Sequence, residues 1–318
     1  MPKAELHFHL EGAIPVPVLW ELIQHHGGDP TIRTQEQLAE WFSYRDFAHF
    51  METWEWMNGF LRCYDDFEFA AESVAHHLVE QNIVYVEAFF SPSDFRHHGM
   101  EPQGIAAAIR TGLDRVSGVE VALIVDLVRD RGPKGTARTL AAIEEVASET
   151  GVIGIGIGGF ELAHPPEQFA AVYDDAEEAG PESVWGAIRD LGTERIGHGI
   201  RSIEDPHLVE YLVEHQIPLE VCPTSNLRTG VIAHWDQHPV GRLIDAGVMV
   251  TINTDDPAMF DASLAGEFEN LVTYFGLDEP ALKRLSLAVI EASWADKATR
   301  LRLTRDIEDW WVAGSMAE

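Results

Sequence analysis

His7 and His9 alternate on one short apolar run, Ala4-Glu5-Leu6-His7-Phe8-His9-Leu10. Residues i and i+2 of a strand point to the same face. Two imidazoles side by side suit a divalent metal, because neutral imidazole is a good zinc ligand. A lone His-x-His also fits two histidines satisfied within a core, so other residues must decide. Near the far end, Val248-Met249-Val250-Thr251-Ile252-Asn253-Thr254-Asp255-Asp256-Pro257 reads as an apolar strand ending in two carboxylates. Between them lies a third strand with a polar tip, Arg195-Ile196-Gly197-His198-Gly199-Ile200. Two imidazoles and a carboxylate around a metal, with a further histidine beside them, are the parts of a metal-assisted hydrolysis.

Such residues need a scaffold that gathers strand tips. Strands are expected at 5–10, 83–90, 119–128, 152–157, 195–200, 218–222 and 247–253. Most are apolar throughout, as parallel strands covered by helices are. Helical patterns lie between them, including 66–81, 104–115, 137–148, 167–176, 182–191, 206–214 and 239–246. This alternation predicts an α/β chain, either a closed parallel barrel or an open doubly wound sheet. No Gly-x-Gly-x-x-Gly opens a helix after the first strand, which disfavours a dinucleotide fold. His7, His9, Glu87, Asp126, Gly158-Gly159, His198, Ser225-Asn226 and Asp255-Asp256 lie along or just after successive strands. That favours the barrel, where strand C-termini share one mouth. Residues 14–67, rich in Trp, Phe and Met, read as a helical insertion after strand one. Its aromatic residues are expected in the core, with a lid over the mouth as the alternative. The stretch 279–309 reads as closing helices. No linker divides the chain, so residues 1–318 are expected to form one domain.

The chain carries 53 acidic and 22 basic residues, a formal net charge of −31, and only four lysines. So negative a field argues against nucleic acid and anionic membranes as partners. A solvated acidic surface explains it, and adaptation to high salt is a further possible cause. There is no membrane-length apolar run and no basic-then-apolar start, so a cytoplasmic location is expected. Cys63 and Cys222 are too few for a disulfide framework, which agrees. Oligomeric state is not legible.

Together these residues resemble the adenosine deaminase family of the amidohydrolase superfamily. Glu5-Leu6-His7-Phe8-His9-Leu10-Glu11-Gly12, Gly197-His198-Gly199, Cys222-Pro223-Thr224-Ser225-Asn226 and Asn253-Thr254-Asp255-Asp256-Pro257 look like its motifs, in the family's order. The resemblance implies a (β/α)8 TIM-like barrel with one Zn2+ per chain that hydrolyses the exocyclic amine of a small-molecule purine. It implies His7, His9 and Asp255 as metal ligands and His198 beside the metal-bound water. Asp256 and the backbone N–H of Gly159 would hold the purine ring. Glu11 would reach the sugar or its replacement. Competing structural roles are an N-cap for Asp256 and an exposed position for Glu11.

One family element is absent. The His-Ala-Gly-Glu motif of the fifth strand, source of a third zinc imidazole and the general acid, does not occur. Seven strands are found where the barrel needs eight. The gap falls where helix 167–176 meets Glu177-Glu178-Ala179-Gly180-Pro181 with no strand between. Glu177 aligns with the catalytic acid, with an exposed helix-end carboxylate as the plain alternative. Roughly a dozen residues would restore the turn and strand. Either they are omitted from this sequence, which the family character of both flanks favours, or the deletion is real and the chain is an inactive purine or metal binder. Phe160 replaces the Asp usual in Gly-Asp-Glu, and Phe89-Phe90-Ser91-Pro92 lacks the Arg common in adenosine-specific members. Adenosine is the first substrate expected, with adenine and 6-aminodeoxyfutalosine as alternatives. An ester- or amide-cleaving metallohydrolase is less consistent with the Asp255-Asp256 pair.

Overall fold

Seven apolar runs become seven strands in a computed structural model that describes residues 1–159 and 180–315. They are β1 (Lys3–His9), β2 (Ile83–Phe90), β3 (Glu120–Asp126), β4 (Val152–Gly156), β5 (Ile196–Gly197), β6 (Leu219–Val221) and β7 (Val250–Ile252). All pairings are parallel. One sheet runs β1-β2-β3-β4 and the other β5-β6-β7. They join where β7 meets β1: His9 N–H donates to the Asp255 carbonyl at 2.8 Å, and Asp255 N–H to that of His7 at 3.1 Å. The order is therefore continuous from β5 through β7 and β1 to β4. Among the described residues β4 and β5 are its two ends. Ile153 of β4 is 43% exposed, as befits an end strand rather than an interior one. The expected fifth strand thus falls at the one break in the order. The expected helix 167–176 and Glu177 lie outside the described residues.

Side chains fix the β7–β1 register. Asn253 Oδ1 accepts from the backbone N–H groups of Leu6 at 2.9 Å and His7 at 3.2 Å. Glu5 Oε1 accepts from Thr254 N–H and Thr254 Oγ1. A one-residue slip would turn His7 and His9 away from the mouth.

Between β1 and β2 come α1 (Val16–His25), α2 (Gln35–Trp41), α3 (Phe47–Asn58) and α4 (Tyr64–Glu80). Thr34 and Asp46 cap α2 and α3 by accepting from Gln37 N–H and His49 N–H. Helix α4 is the crossover to β2. Its buried Phe67, Ala70, Ala71, Val74, Ala75 and Leu78 recur at helical spacing. The C-terminal helices Glu279–Ala292 and Lys297–Ser315 pack Val289, Ile290, Leu303 and Ile307 on Ala4, Leu6 and Tyr85, at the strand ends away from the mouth. Between these two helices, Trp294 stands against Gly154 of β4 and donates through Nε1 to Glu194, just ahead of β5, at 2.7 Å. It spans the two free ends.

Candidate active site

The tips of β1 and β7 bring His7, His9 and Asp255 together as their spacing predicts. Nε2 of His7 stands 3.5 Å and Nε2 of His9 3.3 Å from the same oxygen, Asp255 Oδ1. His198 follows β5, and its Nε2 lies 3.7 Å from Asp255 Oδ2. Asp255 (φ +65°) and His198 (φ +48°) both adopt left-handed backbone. That conformation costs a non-glycine residue about 1–3 kcal/mol and is characteristic of functional sites. Paired backbone bonds to β1 and a 2.6 Å hydrogen bond from Ser225 Oγ to Asp255 Oδ2 hold the aspartate there.

The histidines have defined proton positions. His238 Nδ1 accepts from Val240 N–H, so its Nε2–H donates to Asn226 Oδ1 at 3.1 Å. Asn226 Nδ2 then donates to His198 Nδ1 at 3.0 Å. A neutral His198 therefore carries its proton on Nε2, aimed at the Asp255 side of the site. Burial, with His198 adding to it, pulls His238 down to about 4 and keeps that ring neutral. His7 is set from the other side: its Nδ1 faces Glu220 Oε2 at 3.0 Å. With that proton on Nδ1, the Nε2 lone pair points towards Asp255. Nε2 of His7 is buried and makes no hydrogen bond.

This orphaned atom tests the fit of a metal. Burial opposes a charge on His7, but Asp255 and Glu220 outweigh it and hold its pKa well above the usual value. The Asp255 carboxyl, despite burial, is held well below the usual range by His7, His198 and His9. The site thus demands positive charge between ring and carboxylate. A dication supplies it and leaves the imidazoles neutral, so His7, His9 and Asp255 suit one. Cys222 Sγ belongs to the same cluster, within 4.8 Å of ligand atoms of His7, His198 and Asp255.

A buried charge chain backs this centre. Glu220 Oε1 ion-pairs with Arg195 Nε at 2.7 Å, and Arg195 Nη1 donates to Glu87 Oε2 at 2.5 Å. The guanidinium stacks 3.7 Å from the Trp294 ring centre. Burial works against charge on Glu220, but Arg195 and His7 keep its pKa low. Acceptors of this kind orient ligand histidines.

A cavity of about 580 Å³ opens beside His9, Asp255 and Asp256. Phe47, Phe50, Met51 and Trp54 of α3 form one wall, and Ser91, Asp126, Gly158 and Gly159 line it from β2–β4. Phe50 and Trp54 are also buried in the core, the first of the two roles expected of the insertion's aromatic residues. Asp256 precedes the short helix Pro257–Phe260 but its side chain does not cap it. Its carboxylate lies against Gly12, where any Cβ would stand 1.7 Å from Oδ1, so residue 12 must be glycine. Gly159 (φ +104°) needs its glycine backbone too. Glu11 is neither exposed nor on the cavity wall. It is fully buried, its Oε1 accepting from Ser91 N–H at 2.9 Å and its Oε2 without a hydrogen bond. Burial pushes it up to about 8.

Four supporting residues were not singled out by sequence: Arg195, Glu220, His238 and Trp54. Glu220 carried a signal, a carboxylate inside the apolar run 218–222. His238 and Trp54 carried none, because both reach the site from loops or helices distant in sequence.

A parallel β/α barrel with a two-histidine, one-aspartate centre at its strand tips defines a metal-dependent hydrolase of the amidohydrolase type. The chain matches the family described as Adenosine deaminase over residues 2–310, and it belongs to that family. It is a hydrolytic deaminase acting on C–N bonds. An aminodeoxyfutalosine deaminase of Streptomyces avermitilis is 34% identical over 329 residues, covering 98% of this chain and 92% of the relative. That alignment is longer than this chain's 318 residues, so the relative carries residues that this chain lacks. An adenine deaminase from Arthrobacter aurescens superimposes with a TM-score of 0.90 at 27% identity, covering 97% of this chain and 98% of that one. An amidohydrolase from Burkholderia ambifaria, solved with bound Zn, gives 0.89 at 24% identity, covering 100% and 93%.

Proposed function

We propose that this chain is a zinc-dependent deaminase of a 6-aminopurine compound, with 6-aminodeoxyfutalosine as substrate ahead of adenine. The observation that carries the reading is the convergence of His7, His9 and Asp255 beside a cavity whose lining includes His9, Asp255, Asp256 and an aromatic wall. Adenosine, the first expectation from the motifs, ranks behind both, because the relatives act on aminodeoxyfutalosine and adenine. A purine bearing an aromatic substituent makes use of the Phe47, Phe50, Met51 and Trp54 wall.

His7, His9 and Asp255 would hold the zinc, which lowers the pKa of a bound water to about 7 and so supplies hydroxide at neutral pH. Asp256 accepts or donates at the imidazole edge of the purine, and the Gly159 N–H holds the ring on its other side. The α3 wall stacks on the ring and excludes water. His198, its Nε2–H aimed into the site, donates to the attacking oxygen, orients it and stabilises the charge that develops there. Glu177 is assigned the proton transfer to the ring nitrogen by its place in the sequence alone. Segment 14–67 acts as the lid of the single domain, and Glu11 supports Ser91 from behind the wall.

The test is ammonia release from 6-aminodeoxyfutalosine, adenine and adenosine by the metal-loaded chain, beside His7→Ala. Release in that order of preference, lost together with zinc in His7→Ala, is the expected result. A zinc-loaded chain that binds purines but hydrolyses none would instead identify a binding relative. The shorter length against the Streptomyces protein makes that second reading specific.

A further inference from the structure

Where α1 ends and α4 begins, three metal-binding side chains meet and a thiol stands beside one of them. Ligand atoms of His25, His26 and Asp66 all lie within 4.8 Å of one another. Nε2 of His26 is 2.9 Å and Sγ of Cys63 3.3 Å from one oxygen, Asp66 Oδ2. The two imidazole rings stand edge to face with centroids 4.9 Å apart. Consecutive residues of a continuing helix would splay by about 100°. Here His26 is the C-cap of α1, where the chain leaves the helix.

We propose that His25, His26, Cys63 and Asp66 form a second metal site, for a borderline divalent cation such as zinc, separate from the His7–His9–Asp255 centre. The donor set is the mixed nitrogen, sulfur and oxygen set that zinc accepts, and thiolate disfavours magnesium and calcium. His25, Cys63 and Asp66 line a surface cavity of about 720 Å³ together with the carboxylates of Glu21 and Asp65. Around tetrahedral zinc, ligand atoms stand about 3.3–3.8 Å apart. His25, His26 and Asp66 reach that geometry by a contraction of about 1 Å, and Cys63 by swinging its Sγ in from Asp66.

Helix capping accounts for Asp66 and for the placement of Cys63, but not for the imidazoles. Oδ2 of Asp66 accepts from the backbone N–H groups of Arg62 at 2.8 Å and Cys63 at 3.0 Å, and the Cys63 side chain completes the capping box that starts α4. That box needs no imidazole. A further donor stands by: the buried Nε2 of His98 makes no hydrogen bond, and His26 and Asp66 both bear on that ring's protonation. Burial keeps the Cys63 thiol above its usual pKa, and a bound cation would deprotonate it. A metal here would join the first and last helices of the insertion whose α3 forms the cavity wall.

The experiment equilibrates the purified chain with zinc at fixed free concentration, in excess magnesium, and measures metal per chain by elemental analysis. Cobalt loading reads out the thiolate through its sulfur-to-metal charge-transfer band. Wild type is expected to hold one zinc more than His25→Ala and than Cys63→Ser, with the cobalt charge-transfer intensity lower in Cys63→Ser than in wild type; any remainder belongs to Cys222 at the other centre. Asp66 is left intact because it caps α4. Equal zinc in wild type and both variants, or charge-transfer intensity unchanged in Cys63→Ser, overturns the proposal. Cations held loosely by the acidic surface would be displaced by magnesium and would not track these residues. The comparison stands whether or not the chain deaminates any purine.

Discussion

Replacing Glu267 by Gln should make stability less sensitive to a rise in pH from 4.5 to about 7. The Glu267 carboxyl is buried, and its Oε1 accepts from Thr224 N–H at 2.9 Å, while its Oε2 has no hydrogen bond. Burial, helped by the Asp255 charge, raises its pKa from 4.5 to about 7 despite the Thr224 and Asn270 hydrogen bonds. The folded state then binds a proton that the unfolded chain has released between these two values. Stability is therefore greatest below 4.5 and falls as pH rises through about 7, at about 1.4 kcal/mol per pH unit within the window. The total loss is about 3 kcal/mol, an order-of-magnitude figure for one buried group. Glutamine keeps the acceptor for Thr224 and never ionises. The Glu267→Gln variant should thus gain on wild type by about 3 kcal/mol between pH 4.5 and pH 8, then keep a constant lead. Urea unfolding midpoints at half-unit pH steps measure it. Parallel pH profiles for the two proteins would refute the claim that Glu267 is folded as an acid. The effect matters for the site because Thr224 begins the turn that carries Ser225 to Asp255 and Asn226 to His198.

Glu220→Gln removes the charge between His7 and Arg195, and zinc affinity should fall about 10–100-fold in chelator competition, as for other partners of ligand histidines; unchanged affinity would remove Glu220 from that role. His198→Ala should retain zinc and lower turnover about 10²–10³-fold, the range for losing one positioned donor to a developing charge. Zinc lost along with activity would make His198 a ligand instead.

The metal centre was legible in the sequence because its parts are local. His7 and His9 share a strand face by the period of two, and Asp255 ends the last apolar run, so spacing alone placed them at one mouth. The seven described strands were legible for the same reason, since parallel strands buried on both faces read as apolar runs. What the sequence could not show is how charge is distributed among groups far apart along it. Arg195 meets Glu87 across 108 residues and Glu220 meets His7 across 213, and these pairs, not any motif, set the protonation of the ligand ring. Glu11 is the clearest case. Its motif suggested a ligand contact and its polarity an exposed position; the 3-10 turn after β1 buries it against the Ser91 backbone. Local patterning fixes which face a side chain takes; burial depth and electrostatic partners follow only from the closure of β7 on β1 and the packing of α3 over the mouth.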